Sequence, residues 1–268
     1  INHITFINNL FLLFLRVTNL KIIRILYYQI NMSHTIVLPS EFDESSIKFL
    51  PPRVNKMGGQ SVLINYDNDQ TSGAFILQTC RIRIPFGVDQ SKPQNGEPVK
   101  YHISVAMAND ETQNAQLRQF TENVRTIDNK AKEYASSDTT WFGKKLSEEL
   151  VGEFYKSAEK FPRDTKWPSN LKVKLPIING VPQFVLYDEN KKPIKMVDED
   201  GNVDHSAIPR GSEAVCLIQS TGVWFVGKTQ FGVGYKLLQA KIYKSNKLSG
   251  YSIVDSEDEE EEPAADIE

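Results

Sequence analysis

The stretch Glu213-Ala-Val-Cys-Leu-Ile-Gln-Ser-Thr-Gly-Val-Trp-Phe-Val-Gly-Lys228, continued by Thr-Gln-Phe-Gly-Val-Gly-Tyr235 and Lys-Leu-Leu-Gln-Ala-Lys-Ile-Tyr-Lys244, decides how the chain is read. β-Branched and aromatic residues dominate it, as in strands. Two such runs meet at Thr221-Gly222, where glycine takes a positive φ without steric cost, so a turn is expected there. A third run, Tyr235 to Lys244, follows a segment punctuated by Gly227, Gly232 and Gly234. That spacing lacks the Gly-Lys-Ser/Thr ending of a phosphate loop and predicts a bulge or a close approach of two backbones. Strand alternation puts Trp224 and Phe225 on opposite faces, so at most one of them points to solvent. Basic and aromatic residues are interleaved throughout, which speaks of a binding surface more than of a reaction.

Composition bounds the reading outward from there. The 268 residues are 40% hydrophobic and 24% charged, ordinary for one sizeable globular domain. The net charge of -3 hides an asymmetry: nine of the 34 acids lie between Asp255 and Glu268, with no Lys or Arg among them. The remaining 25 acids face 31 basic residues. A basic body followed by an acidic tail suits a surface for polyanions and a tail that competes for it, or simply a solubilising tail. Cys80 and Cys216 sit in apolar runs, as buried thiols of a reducing compartment. The four histidines are scattered, no metal-ligand spacing exists, and no Ser/His/Asp or Cys/His arrangement can be assembled, so neither a cofactor nor an enzymatic activity is expected. Asp198-Glu-Asp-Gly-Asn-Val-Asp204 lacks the terminal Glu of a calcium loop and reads as a solvated turn.

Residues 1–31 are rich in Ile, Asn, Leu, Phe and Tyr, without the basic start of a signal peptide or the length of a membrane span. Their bias matches AT-rich codons, so translated upstream DNA with Met32-Ser33 as the start, or disorder, is expected. Residues 32–59 read as an irregular lead-in. Strands are expected at Gln60–Tyr66, at Ala74–Ile84 with Arg81 and Arg83 on one face, and at Val99–Met107. Asn109-Asp110 reads as a helix cap, followed by Leu117, Phe120, Val124, Ile127, Ala131 and Tyr134 at helical spacing. A second helical pattern runs from Ser147 to Phe161. Leu171-Lys-Val-Lys-Leu175 alternates again, with Lys172 and Lys174 on one face, and Asn179-Gly180 is a turn. The order strands, helices, strands predicts an α+β domain over 60–254, a small barrel or curved antiparallel sheet with a helical insert at 110–161 between two β blocks. Residues 255–268 are read as a disordered acidic tail.

Arg81, Arg83, Lys172, Lys174, Lys228, Lys241 and Lys244 supply cations on or beside exposed strand faces. Trp224, Phe231, Tyr235 and Tyr243 supply rings in the same C-terminal stretch. Cations that track phosphates beside rings that stack on bases are what a binder of single-stranded nucleic acid, DNA or RNA, requires. One Lys or Arg pair on a strand is an ordinary solvated face; the repetition on three strands is what favours a binding surface.

Leu171-Lys-Val-Lys-Leu-Pro-Ile-Ile-Asn-Gly180, Asp188-Glu-Asn-Lys-Lys-Pro-Ile194 and the Val215-to-Tyr243 block resemble single-stranded-DNA-binding proteins of nucleocytoplasmic large DNA viruses. The similarity covers Val62 to Lys244 in order of elements. It implies an OB-fold-like core and binding of single-stranded DNA in viral replication or repair, in a viral factory of the host cytoplasm or in the nucleus rather than outside the cell. The acidic tail is similar to those of bacterial and phage single-strand binders, which implies docking of replication proteins, although this one ends in Ile267-Glu268 and not in an aromatic residue. No membrane partner is expected, and self-association is left open. The competing reading is a non-enzymatic virion-associated or chaperone-like protein whose acidic tail binds basic partners.

Overall fold

The computed structural model describes residues 36–54, 58–67, 72–91, 99–108, 114–198 and 200–243. Strands β1 (Ile36–Val37), β2 (Ile47–Phe49) and β3 (Arg53–Val54) come first. Seven follow: β4 (Gln60–Val62), β5 (Ile64–Asp67), β6 (Ser72–Ala74), β7 (Ile76–Gln78), β8 (Ile82–Ile84), β9 (Val88–Gln90) and β10 (Tyr101–Ala106). Helices α1 (Ala115–Ser137) and α2 (Glu148–Phe154) come next. Then come β11 (Glu159–Lys160), β12 (Asn170–Leu175), β13 (Ile177–Ile178), β14 (Val181–Pro182), β15 (Val185–Tyr187) and β16 (Pro193–Ile194). The described chain closes with two long strands, β17 (Ser212–Val226) and β18 (Gln230–Tyr243).

The spine is the β17–β18 hairpin, paired from Glu213 opposite Tyr243 to Val226 opposite Gln230. The turn expected at Thr221-Gly222 is not there. β17 runs straight through it, and the register slips between Ser220 and Gly222 as in a β-bulge. The chain reverses instead at Gly227, whose φ is 58°. Glycine's tolerance of positive φ serves a bulge as well as a turn, so Gly222 (φ 89°) pointed to a special backbone without saying which. At Gly222 a Cβ would stand 2.1 Å from the Val62 carbonyl oxygen, because β4 pairs against β17 at this point. By contrast, Asn179-Gly180, both at positive φ, turns the β13–β14 hairpin as expected.

The main sheet runs β1–β7–β17–β18–β12–β10–β9, with β4 and β8 also on β17, β15 also on β18 and β11 on β12. The α+β class holds, but two finer expectations are corrected. No closed barrel forms among the described strands. Nor is the sheet antiparallel throughout: β1–β7, β12–β18 and β15–β18 are parallel pairs. A period-two pattern is the same in parallel and antiparallel strands, and closure depends on strand number and stagger, so neither was readable from alternation. The stretch expected as an irregular lead-in also enters the sheets, with β1 on β7, β2 on β5 and β3 on β4.

Asn114 caps α1, its Oδ1 accepting from the Gln116 N–H at 2.8 Å; the cap expected at Asn109-Asp110 lies outside the described residues. The helix buries Phe120, Val124, Ile127 and Ala131, the stripe read from the sequence. Ser147 caps α2, which stops at Phe154 rather than at Phe161. Tyr155 bridges to Phe231, and Glu159–Lys160 pairs with β12 instead. On the inner face of the sheet, Phe225 and Phe231 stack at 6.1 Å across the hairpin, with Trp141, Phe142 and Tyr155 edge-on around them. Each such ring, once buried, contributes on the order of 2 kcal/mol.

Candidate nucleic-acid interface

Strand β12 alternates strictly: Leu171, Val173 and Leu175 are buried, while Lys172 and Lys174 stand on the outer face. Its neighbours add to that face. Lys160 pairs with Asn170 across β11–β12, and Lys174 stands level with Lys236 of β18. Lys156 follows the end of α2, and its N–H donates to the Phe231 carbonyl at 2.8 Å, which straps it to the start of β18. Opposite Gly232 in register is Trp224. A Cβ on Gly232 would meet the Lys156 carbonyl oxygen at 2.2 Å and Trp224 Cζ2 at 2.9 Å. A Cβ on Gly234 would lie 3.5 Å from Trp224 Cδ1 and 3.9 Å from Lys174 Nζ. The predicted close approach of two backbones is real at Gly232, while Gly234 is crowded by side chains, Thr221 Oγ1 nearest at 2.5 Å; together the two glycines leave a bare floor on which the indole rests beside an ammonium group.

The result is a cleft of about 310 Å³ lined by Lys156, Ser157, Lys160, Lys172, Lys174 and Trp224. Among the described residues no acid lines it. Lys156 Nζ donates to the Glu153 carbonyl and Lys160 Nζ to the Ser157 carbonyl, both at 2.7 Å, and none of the four lysines forms an ion pair among the described residues. Surrounding atoms, then Lys100 and Lys172, hold the Lys174 pKa below the usual lysine value. His102, across β10 from Lys174, is likewise lowered by burial and by Lys172, against the pull of Asp89 at 3.1 Å. Burial is the larger cause of both shifts, and the neighbouring lysines add to it.

The cleft's wall is braced from within. Glu159 of β11 is a buried carboxylate held by Arg125, at 2.7 and 3.0 Å, and by the Ser169 hydroxyl. Burial alone would raise its pKa, but these partners bring it below the ordinary value. Next to it Ser157 Oγ donates to Asp128, whose own pKa burial raises. The brace fixes the strand edge from which Lys160 projects.

The structure divides the residues singled out from the sequence. Lys172, Lys174 and Trp224 come together in the cleft, and Phe225, not Trp224, is the ring that turns inward. The Phe231 and Tyr235 side chains, expected at the binding surface, are only 0% and 1% exposed, which closes their rings to stacking, although Tyr235 borders the cleft. They share the inner face with Val233 and Leu237; α1 packs on that face, and Phe142 and Tyr155, on either side of α2, close over Phe231. Arg81, Lys241 and Tyr243 gather elsewhere. Arg81 Nε stands 2.6 Å from Glu213, its guanidinium lies 4.1 Å from the Tyr243 ring centre, and Lys241 Nζ lies 5.1 Å from the same ring. Lys241 is five residues along β18 from Lys236, roughly 17 Å from the cleft at strand rise. Lys228 is exposed in the hairpin turn, Arg83 lies on a different cleft, and Lys244 and the tail lie outside the described residues.

Sequence reading missed Lys156 and Lys160, which it assigned to one long helix. Gly152 within that pattern and Pro162 just after it were the signals for a shorter helix. Among the described residues no cluster of His, Cys, Asp and Glu could hold a metal ion, and no helix is long and apolar enough to cross a membrane.

A family model described as "Family of unknown function (DUF5871)" matches residues 102–255. No curated protein matches the sequence. Among solved structures, the chain is similar to gp2.5, a single-stranded DNA binding protein encoded by bacteriophage T7. The TM-score is 0.43 at 10% identity, covering 67% of this chain and 91% of that one. It is also similar to the single-stranded DNA-binding protein from bacteriophage Enc34. In complex with single-stranded DNA, that protein gives a TM-score of 0.41 at 12% identity, covering 76% and 99%. Without DNA it gives 0.40 at 16% identity, covering 79% and 98%.

Proposed function

We propose that this chain, which belongs to the DUF5871 family of unknown function, binds single-stranded DNA through the cleft of Lys156, Lys160, Lys172, Lys174 and Trp224. One observation carries the reading: four lysines without a counter-ion among the described residues converge on a half-buried indole over a glycine floor. Ammonium groups on adjacent strands attract phosphates, and each contact releases condensed counterions. The ring offers what a duplex cannot use, a flat apolar face for an unpaired base. An acidic peptide would also be drawn to these lysines, but the indole over bare glycine backbone adds the flat face that base stacking uses, and among the described residues no paired carboxylates stand in the cleft's lining. In this reading the acidic segment 255–268 competes with DNA for the same lysines, and the setting is replication or repair of viral DNA.

The test is fluorescence anisotropy with labelled oligo-dT and a duplex of the same length. Oligo-dT binds more tightly than duplex, and Trp224→Ala weakens it by roughly 5- to 150-fold, the equivalent of one stacked base. Trp224→Phe retains most of the affinity. Equal affinity for both forms, unchanged by Trp224→Ala, is the result that defeats the reading.

A further inference from the structure

A second cleft lies further along the outer face, lined by Phe86, Trp167, Arg83 and Arg210 with Asn170 and Ala106 at its base, and has a volume of about 610 Å³. Trp167 is 65% exposed and Phe86 54%, an unusual outlay of aromatic surface on a face that the fold does not cover. Both rings are held by backbone. The Trp167 N–H closes a turn onto the Asp164 carbonyl at 3.2 Å, and Asp164 Oδ1 accepts from the Lys166 N–H at 3.0 Å, with Pro162 and Pro168 at either end of the loop. Phe86 precedes Gly87 (φ 69°), where a Cβ would meet the Ile208 carbonyl oxygen at 2.8 Å. Gly211 N–H donates to the Ile84 carbonyl at 2.8 Å, so Phe86 and Arg210 are held on one side. Neither the Arg83 nor the Arg210 side chain has an ion-pair or hydrogen-bond partner among the described residues, since Glu213 opposite Arg83 is engaged by Arg81.

We propose that this cleft is a second subsite for single-stranded nucleic acid, in which Phe86 and Trp167 stack on bases and Arg83 and Arg210 take the flanking phosphates. The proposal rests on the lysine cleft being the first subsite. Continuity supports it. Asn170, Lys172 and Lys174 alternate outward on one strand, so Asn170 in this cleft and Lys174 in the other are roughly 13 Å apart at strand rise. Lys160, which lines the first cleft, stands level with Asn170 of the second. Charge supports it as well. A strand leaving the row of lysines meets two guanidinium groups, whose planar, bidentate geometry fits phosphate, next to exposed rings.

The experiment is an oligo-dT length series on the full chain, read by anisotropy, with one oligomer of about 4 nucleotides that fills one cleft and one of about 12 that reaches both. Trp167→Ala is expected to weaken the longer oligomer by roughly 5- to 150-fold and the shorter by less than about 2-fold, with Trp167→Phe restoring most of the loss. Phe86→Ala follows the same pattern. The rings are solvent-exposed, so thermal unfolding of these variants should match the parent, and a lowered Tm would itself count against the assigned role. Equal binding of both lengths by parent and variants overturns the second subsite and leaves the lysine cleft standing. Failure of the parent to bind either length overturns the underlying reading instead. Quenching of Trp167 by a peptide of sequence 255–268, and not by oligo-dT, would make the occupant this chain's own tail and also overturn the proposal.

Discussion

Replacing Lys156, Lys160, Lys172 and Lys174 together by alanine should flatten the salt dependence of single-strand binding by an amount that can be worked out beforehand. Each neutralised phosphate contributes about 0.7 to the negative slope of log K against log salt on a single strand, so four lysines supply about 2.8. Between about 50 and 200 mM salt, a slope of that size is roughly a 50-fold loss of affinity attributable to the cleft. The variant should lose most of that dependence, and it should bind weakly at low salt. Folding should not confuse the result, since all four side chains are exposed and none is ion-paired among the described residues. The assay is anisotropy with labelled oligo-dT over a series of salt concentrations, with Lys144→Ala/Lys145→Ala, exposed lysines away from the cleft, as the charge-matched control for a pair. If the quadruple variant keeps the parental slope to within the value of one lysine, DNA does not lie in this cleft.

Three further outcomes are expected. Lys174 is held below the usual lysine pKa by neighbouring atoms, Lys100 and Lys172, so it sheds its proton first as pH rises. Affinity should therefore fall on the alkaline side before that of a Lys174→Arg variant does, and coincident pH profiles would contradict this. Gly222→Ala combines a positive φ with a Cβ 2.1 Å from a backbone oxygen and should cost at least about 2 kcal/mol, visible as a lower urea midpoint. Arg125→Ala leaves the Glu159 carboxylate buried with one partner fewer and should cost on the order of 2 kcal/mol at neutral pH, less than a fully buried pair because Arg125 is 44% exposed. Glu159 has a lowered folded-state pKa, so its contribution is present above the ordinary 4.5 and is lost as pH falls through the folded value. The gap between parent and variant should accordingly narrow in acid, and a gap that widens there would refute the brace.

The sequence by itself determined which residues can share a face. Period two put Lys172 with Lys174 and set Trp224 against Phe225, and period 3.6 gave the buried stripe of α1; these depend only on the geometry of one strand or one helix. It also marked Gly232 as a place where backbones approach. It did not say which face is the covered one, and so Phe231 and Tyr235, which are buried, were expected at the binding surface. Which face is inner follows from where α1 and α2 pack. Only tertiary structure decided that Arg81, Lys241 and Tyr243 gather around Glu213 while Lys156 and Lys160 join Lys172 and Lys174. Pairing between distant strands sets those distances, and a repeat read along one segment holds no information about its neighbour across the sheet.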